Sequence, residues 1–336
     1  MTESKPTIET VYGGAPLQAA ERMLATAVQR LEYRQKPLHG GTLGDVRLLT
    51  GSAFTADGRS LPFRMVQKTQ KRWQRPGDPA SWRREYDLAQ TELRTLFTPD
   101  FRWPDVYYSE CAEAENCLWM EYAEGTSGAR LTPEELELAA LALGRFQGRS
   151  SRMMETLRAM PCLGDAGYEE REFSQWAPET LEYQRLRGAD CPLPGQLQKL
   201  LIDAQANAAE IFTAIRALPQ VLCHRDYWTE NIIVANGNVI AIDWDCAGLG
   251  AIATDIASLI ADETDPGSID MLAKKLLPAY YRGLSETMAL PPMDRIPLRE
   301  MILLKFGYRF LQQAMFSKET EAKDGAILAL EQIAAL

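Results

Sequence analysis

Residues 224–231 read His224-Arg225-Asp226-Tyr227-Trp228-Thr229-Glu230-Asn231, and Ile242-Asp243-Trp244-Asp245 follows after ten intervening residues. The first stretch lies between two short apolar runs, residues 221–223 and 232–234, which predict two strands. Asp226 and Asn231 therefore lie at the start and the end of one polar loop. No other stretch of the chain indicates fold and chemistry so directly.

A tight hairpin is predicted between the two stretches. Ala235-Asn236-Gly237-Asn238 favours such a turn because Asn-Gly accepts the positive φ angles that it requires. The returning strand then brings Asp243 close to Asn231. An amide oxygen beside a carboxylate is a hard-oxygen site that suits Mg²⁺ with its phosphate ligands. Asp226 can orient an attacking hydroxyl and accept its proton, so the spacing predicts phosphoryl transfer from a nucleoside triphosphate.

The first half of this pattern also has a simpler interpretation. Asp226 and Asn231 could merely satisfy backbone groups in a polar loop between strands, as such residues commonly do. The hairpin and the second aspartate at its far end argue against that alternative, because a polar loop that only satisfies its own backbone requires neither of them.

The complete pattern resembles the aminoglycoside phosphotransferase and choline kinase family of small-molecule kinases. That family carries H-x-D-x-x-x-x-N, then I-D-W/F, then G-x-x-x-x-D-[IL]-A, and residues 250–257 here read Gly-Ala-Ile-Ala-Thr-Asp-Ile-Ala. The resemblance is specific over residues 221–260 and looser elsewhere. It implies a bilobal, protein-kinase-like α+β fold, with a small antiparallel-sheet lobe at residues 1–122 and a mostly helical catalytic lobe at 123–336.

Composition restricts the class of protein. The 336 residues are 46% hydrophobic, enough for a sizeable core, and no apolar run approaches the length of a membrane helix. The first residues include acidic side chains and no apolar signal core, and the six cysteines are scattered without metal-ligand spacing. We therefore expect a cytoplasmic protein with free thiols.

Charge is distributed unevenly. Residues 1–125 carry 16 basic and 17 acidic side chains, whereas residues 126–336 carry 20 and 29. The acidic second half argues against a nucleic-acid partner and favours a neutral or cationic small molecule. An acidic surface that merely aids solubility is the alternative.

The first half carries the predicted nucleotide-binding elements. Apolar spacing over Leu17–Leu31 predicts a helix, and residues 46–49 and 63–66 predict a hairpin that turns near Asp57-Gly58. Just before this hairpin are three glycines whose backbone could approach phosphate oxygens: Gly40, Gly41 and Gly44. An ordinary glycine turn fits the same residues.

Family resemblance assigns further roles in this half. Lys68 resembles the strand lysine that contacts the α- and β-phosphates, and Glu85, at the start of a helix predicted to reach Leu96, resembles its partner. A solvated lysine at a strand end is the alternative for Lys68. Residues 103–109 and 117–122 predict two more strands. The Glu121 carbonyl and the Ala123 amide, just after them, would bind adenine by resemblance.

The second half is predicted to be mostly helical. Thr132-Pro133-Glu134-Glu135 predicts a capped helix that continues to Gln147. Residues 160–177 are rich in glycine, proline and charge and predict an irregular loop. The remaining predicted helices cover residues 196–218, 268–287, 297–317 and 320–335.

Several residues near the main pattern keep two interpretations. His224 could be a base, but the resemblance favours a role in bracing the loop. Arg225 stands where the family usually has glycine, and we expect it to form a structural ion pair, while Asp255 would cap the loop backbone by resemblance. Three acids could form either a rim for a cationic substrate or a solvated loop: Asp262, Glu263 and Asp265. Asp245 could be a metal ligand or a surface acid, and Tyr227 and Trp228 could line the substrate cleft or the core.

The resemblance implies an ATP-dependent phosphotransferase, with GTP as the alternative nucleotide, that requires Mg²⁺ and acts on a small-molecule hydroxyl. Aminoglycoside-like compounds, amino alcohols and sugars are the expected acceptors. Asp226 would be catalytic, and Asn231 and Asp243 would hold the metal. The alternative is a catalytically silent pseudokinase that binds nucleotide as a regulatory module. A protein kinase is disfavoured because no activation loop follows Asp245.

Overall fold

The structure is a computed structural model, and it describes residues 8–38, 44–75, 77–177, 180–186, 188, 191–262 and 264–336. Its strands are β1 (Glu9–Val11), β2 (Arg30–Pro37), β3 (Gly44–Phe54), β4 (Ser60–Lys71), β5 (Phe101–Arg102), β6 (Val106–Cys111), β7 (Glu115–Glu121), β8 (Thr126–Ser127), β9 (Gln220–Cys223), β10 (Ile232–Ala235), β11 (Asn238–Ala241) and β12 (Gly248–Ala251).

The α-helices are α1 (Ala15–Leu24), α2 (Arg84–Ala89), α3 (Pro133–Ser150), α4 (Met154–Arg158), α5 (Tyr168–Trp176), α6 (Leu181–Leu186), α7 (Gly195–Ala206), α8 (Ala208–Arg216), α9 (Thr254–Ala261), α10 (Ile269–Ser285), α11 (Leu298–Phe316) and α12 (Thr320–Ala334). None of the helices among the described residues has the length and apolar character needed to span a membrane.

The described residues divide into two compact units. The first contains the chain up to Arg75 together with residues 79–95 and 102–124, and the second contains residues 77–78, 96–101 and 125–336. The first is built on an antiparallel sheet and the second is mostly helical. The predicted α+β class, with a sheet first and helices after it, is confirmed.

The first unit is an antiparallel sheet with strand order β1-β2-β3-β4-β7-β6. The predicted hairpin of β3 and β4 is present, and its register places Val46 opposite Lys68 and Lys68 opposite Leu118. Alternate residues of β2, β3 and β4 face a core that includes Leu31, Leu49 and Met65, each fully buried. This alternation is the period-2 pattern expected of a sheet with one buried face.

Two helix predictions in the first unit are wrong in extent. The helix predicted over Leu17–Leu31 ends at Leu24, and Leu31 instead pairs with Ala53 in β2 and is fully buried. Burial of Leu31 against a neighbouring strand outweighs the helical spacing. The helix predicted to reach Leu96 ends at Ala89. Nearby, the Thr91 hydroxyl bonds to the Leu88 carbonyl and competes with the helical backbone.

The second unit begins with the predicted capped helix. Thr132 Oγ1 accepts a hydrogen bond from the Glu135 amide at 3.2 Å, and the Glu135 carboxylate accepts one from the Thr132 amide at 2.9 Å. This reciprocal pair is the capping box that the sequence predicts. The three helices predicted near the C-terminus are also present as α10, α11 and α12.

Two predictions for the middle of this unit are wrong. The region predicted as an irregular loop contains α5, which buries Tyr168 and Phe173 although most of its other residues are polar. The single helix predicted over residues 196–218 is two helices. Asn207 separates them, and its side-chain amide donates to the Asp203 carbonyl at 2.9 Å. An asparagine that binds the preceding turn in this way commonly ends a helix.

Candidate active site

The loop that carries Asp226 joins β9 to β10 in the second unit. β9 pairs with β12, and β10 pairs with β11 through a turn in which Asn236 and Gly237 both have positive φ, 51° and 76°. The predicted Asn-Gly turn is therefore present. Both ends of the loop are anchored in strands, so its residues have little freedom to shift.

His224 braces this loop and is occupied at both ring nitrogens. Its Nε2 lies 2.8 Å from the Ile242 carbonyl oxygen, and its Nδ1 accepts a 3.3 Å hydrogen bond from the Asp226 amide. The ring is fully buried. A carbonyl on one side and an amide on the other assign the tautomer with the proton on Nε2. The geometry therefore favours bracing over base catalysis by His224.

Asp255, at the start of α9, receives the loop backbone. Its carboxylate accepts hydrogen bonds from the amides of His224 at 2.8 Å and Arg225 at 2.7 Å. Gln147 Nε2 donates to the same carboxylate at 2.7 Å, and the Gln147 amide oxygen accepts from the Tyr280 hydroxyl. Complete burial raises the pKa of Asp255, and His224 and the two amide donors partly oppose that shift.

Gln147 is a positioning residue that sequence reasoning missed. It is fully buried and also donates to the Leu222 carbonyl in β9 at 3.2 Å. In the sequence it stands at the end of the helix predicted from Thr132, and no local motif marks it as functional. The partners of Gln147 lie more than 70 residues away in sequence, so no local pattern reveals them.

Asp226 and Asn231 are in direct contact. The Asn231 Nδ2 donates to the Asp226 carbonyl oxygen and to Asp226 Oδ2, both at 2.8 Å. These bonds turn the amide nitrogen toward Asp226 and leave the amide oxygen as the group that could bind a cation. Asn231 is buried and Asp226 is half-buried.

The hairpin places Ile242 opposite Asn231, and Asp243 is the next residue. The Ile242 amide donates to the Asn231 carbonyl at 3.0 Å, and Asp243 follows with a left-handed φ of 65°. The pair supplies one amide and one carboxylate oxygen, a donor set that fits Mg²⁺ when phosphate oxygens complete the coordination. Within the described part of the chain, no group of three or more His, Cys, Asp or Glu side chains gathers around a common point.

Lys68 and Glu85 form an ion pair inside the first unit. The Lys68 ammonium contacts the Glu85 carboxylate, and the two side chains are only 10% and 7% exposed. Lys68 lies within β4 and Glu85 lies in the first turn of α2. This burial excludes the solvated strand-end interpretation of Lys68. The phosphate-binding role of this pair stays a prediction.

The backbone groups assigned to adenine lie at the end of β7 and in the loop after it. The Glu121 amide donates to the Asp105 carbonyl at 2.8 Å. The Glu121 side chain meets the Arg102 guanidinium at two points, and the hydrogen bond from Arg102 lowers the pKa of this carboxyl. Ala123 is half-buried.

Two of the three predicted loop glycines, Gly40 and Gly41, lie outside the described residues. Gly44 begins β3 opposite Gln70. A Cβ atom at this position would overlap the Thr69 carbonyl oxygen. The close approach of β4 therefore requires glycine at position 44, whatever the loop before it binds.

Among the described acidic residues predicted to form either a rim or a solvated loop, Asp262 does neither. Asp262 is 5% exposed and pairs with Arg309 of α11, whereas Asp265 is exposed and Glu263 lies outside the described residues. Burial raises the pKa of Asp262, and the nearby Arg309 opposes that shift. Tyr227 is fully buried and donates to the Ala139 carbonyl at 3.2 Å, so it packs in the core, while Trp228 is half-buried.

Sequence comparison identifies the family. A family model described as the phosphotransferase enzyme family matches residues 52–289, more than two thirds of the chain. The protein therefore belongs to the phosphotransferase enzyme family, and the resemblance and the enzyme class predicted from the sequence are confirmed. No curated protein matches the chain significantly.

Solved structures share the fold at low sequence identity. The GDP complex of aminoglycoside 2′-phosphotransferase-IIIa superposes with a TM-score of 0.58 at 13% identity, covering 95% of this chain and 96% of that one. A microcompartment-associated aminopropanol kinase gives 0.54 at 15% identity, with 90% and 91% covered. Amicoumacin kinase, in complex with AMP-PNP, Ca²⁺ and amicoumacin, gives 0.52 at 14% identity, with 90% and 88% covered. The predicted kinase-like fold is confirmed.

Proposed function

We propose that this protein transfers the terminal phosphoryl group of ATP, or of GTP, to a hydroxyl group of a small molecule. The proposal rests chiefly on the arrangement of Asp226, Asn231 and Asp243 on one braced loop and its adjoining hairpin. Membership of the phosphotransferase family supports it. We also propose that residues 1–122 form the nucleotide-binding lobe and residues 123–336 the catalytic and substrate lobe.

Asp226 is assigned to the acceptor hydroxyl. A carboxylate held by an Asn231 side-chain hydrogen bond can orient the hydroxyl and accept its proton as the new bond forms. His224 cannot take this role without losing its contacts to the backbone. Most of the catalysis would come from positioning and from charge neutralisation, because phosphoryl transfer requires little covalent participation by the protein.

The metal and the phosphates are assigned to separate groups. Asn231 and Asp243 would hold Mg²⁺, which neutralises charge on the phosphate oxygens when it is bound. Lys68 would contact the phosphates, oriented by Glu85. The AMP-PNP and GDP bound in two structures of the same fold support a nucleotide ligand.

A nucleotide-binding pseudokinase is the alternative of a different class. It would lack at least one of the groups that transfer requires, but Lys68, Glu85, Asp226, Asn231 and Asp243 are all present. The alternative is therefore disfavoured on the chemistry of these residues.

An acceptor screen tests the proposal. Compounds related to the named substrates of the three similar structures, an aminoglycoside, aminopropanol and amicoumacin, form the first panel, followed by sugars and choline-like amines. Thermal shift with Mg²⁺ and a nonhydrolysable ATP analogue selects binders, and phosphate transfer from labelled ATP or GTP measures turnover. Nucleotide binding with no transfer to any compound and no nucleotide hydrolysis would favour the pseudokinase.

A further inference from the structure

The Arg225 guanidinium is buried in the second unit and joins three segments of the chain. Its side chain is 3% exposed, and Nη2 donates to the Asp165 carbonyl at 2.5 Å and to the Leu249 carbonyl at 2.7 Å. Its Nε lies 3.2 Å from Glu169 Oε1, and its guanidinium carbon lies 5.1 Å from the centre of the Tyr168 ring. One side chain thus links the loop that carries Asp226 to β12 and to the start of α5.

Two glycines make room for this guanidinium. Gly164 and Gly248 form a parallel bridge, and a Cβ atom on either one would overlap Arg225 Nη1. At Gly164 the close overlap is with the guanidinium alone, whereas at Gly248 it also involves the Gly164 carbonyl oxygen. We call Gly164 and Gly248 the glycine groove. Its shape explains why an arginine can occupy position 225 although the resembling family usually has glycine there.

The backbone of Arg225 is held as firmly as its side chain. Its φ is 69°, a left-handed value that is uncommon for a residue with a side chain. Its amide donates to Asp255 at 2.7 Å, and its carbonyl oxygen accepts a 2.7 Å hydrogen bond from Lys305 Nζ of α11. Lys305 also donates to Ser258 Oγ of α9 at 2.7 Å. The residue next to Asp226 is therefore fixed at its amide, its carbonyl and its guanidinium.

The segment held by Arg225 also forms one wall of a cavity. The cavity lies between α5, α8, α9 and α11, and both Glu169 and Lys305 line it. Glu169 and Lys305 meet Arg225 at its side chain and at its carbonyl. A displacement of α5 would therefore be transmitted to the residue that precedes Asp226.

We propose that Arg225 is a positioning residue that couples the segment 164–169, at the start of α5, to the orientation of Asp226. This inference rests on the proposed function, because it assumes that Asp226 acts on the acceptor. Arg225 takes no part in the chemistry. Its guanidinium lies against the glycine groove and fixes the position of the Asp226 loop relative to the segment 164–169.

Kinetics of four variants test the coupling on the acceptor that the screen identifies. Arg225→Gln should lower kcat about a hundredfold, the effect expected when a reacting group is misplaced by about 1 Å. The KM for nucleotide should be unchanged. Arg225→Lys should recover part of kcat, because one ammonium can reach a carbonyl but cannot reproduce the planar fork. Gly164→Ala should lower kcat by displacing the guanidinium, and it should add no further loss in the Arg225→Gln background.

Gly195→Ala is the matched control, because a Cβ atom at Gly195 meets nothing within 4 Å. It should leave kcat unchanged. Additive losses from Gly164→Ala and Arg225→Gln would overturn the coupling, as would a nucleotide KM that rises in step with the fall in kcat.

Amide hydrogen exchange provides a test that does not depend on turnover. Arg225→Gln and Gly164→Ala should each speed exchange of the His224 and Arg225 amides and of residues 165–169, while β3 and β4 stay unchanged. Unchanged exchange at the loop in both variants would overturn the inference. A wild type that transfers no phosphate would refute the proposed function, and the exchange experiment would still decide whether the two segments are coupled.

Discussion

Lys68 and Asp226 are the two charged groups on which the proposed reaction depends most, and the structure holds them in different ways. Lys68 is fixed through its side chain by an ion pair with Glu85. Asp226 lies on a loop that is fixed through its backbone, by Asp255, by the His224 ring and by Lys305. The first arrangement acts on the charged side chain itself, whereas the second acts on the backbone of the loop.

This difference predicts where substitutions should act. A lysine held through its side chain is vulnerable at its charged partner, and both should behave as a unit. A loop held by several buried hydrogen bonds should be vulnerable at residues that never touch a substrate, because each lost acceptor leaves a buried donor unsatisfied. Asp255 and Gln147 belong to that group.

Asp226→Asn should have the largest effect on turnover. The substitution keeps the size of the side chain but removes the proton acceptor, and we expect phosphate transfer to fall about a thousandfold. Nucleotide affinity should remain near the wild-type value, because the groups assigned to nucleotide are unchanged. Steady-state transfer and a nucleotide titration measure the two effects. Retained turnover would remove Asp226 from its assigned role.

Asp255→Ala should have the largest effect on stability. It leaves the amides of His224 and Arg225 and the Gln147 side chain without their acceptor in a fully buried site. We expect the free energy of unfolding to fall by about 4 kcal/mol, since each buried unsatisfied donor costs about 1–3 kcal/mol. Urea unfolding monitored by circular dichroism measures it.

Asp203→Ala is the control for that experiment. Asp203 is an exposed aspartate of α7 that pairs with Lys199 on the helix surface. Its loss should cost at most about 0.5 kcal/mol. Similar losses for Asp203→Ala and Asp255→Ala would mean that the loop does not depend on its buried acceptor.

Lys68→Met tests whether Lys68 and Glu85 act as a unit. It removes the Lys68 ammonium from the Glu85 carboxylate at a position where the Glu85 side chain is 7% exposed. We expect a loss of about 3 kcal/mol in unfolding free energy, because removal of one partner from a buried pair leaves the other charge desolvated. Adding Glu85→Gln should recover most of the stability but none of the nucleotide affinity. A double-mutant cycle with a nucleotide titration separates the two, and additive stability losses would contradict the pairing.

Local signals explain which parts of the fold could be predicted. The Asn236-Gly237 turn and the capping box at Thr132 were predictable because each depends on residues within four positions of one another. α5 was not predictable in this way. The buried side chains that the structure describes in this helix are Tyr168 and Phe173. Tyr168 packs beneath the guanidinium of Arg225, a residue more than 50 positions away in the sequence.

The same limit applies to the candidate site. Asp226 and Asn231 share one loop, and Asp243 follows the residue that pairs with Asn231 across the hairpin, so this arrangement follows from the spacing. Gln147 meets β9, just before the loop, from a helix 75 residues away in sequence, and Lys305 meets the loop from a helix 80 residues away. No periodicity indicates such contacts. The pairing of Lys68 with Glu85 was expected only from family resemblance, since a strand and a helix separate them. The roles of these residues in the reaction stay predictions.

Glu121→Gln probes the smallest of these effects and extends the comparison to a half-buried ion pair. The hydrogen bond from Arg102 lowers the pKa of Glu121 below its ordinary value of 4.5, so this pair stabilises the folded state above that pH. The stabilisation is lost as the pH falls through the lowered pKa.

We expect Glu121→Gln to cost about 1 kcal/mol at pH 7, and the difference from wild type should shrink on acidification below pH 4.5. Urea unfolding across this range measures it, with the exposed Glu113→Gln as a control that should show no such change. A difference in unfolding free energy that grows on acidification would contradict the lowered pKa of Glu121. It would mean that the pair with Arg102 destabilises the folded state.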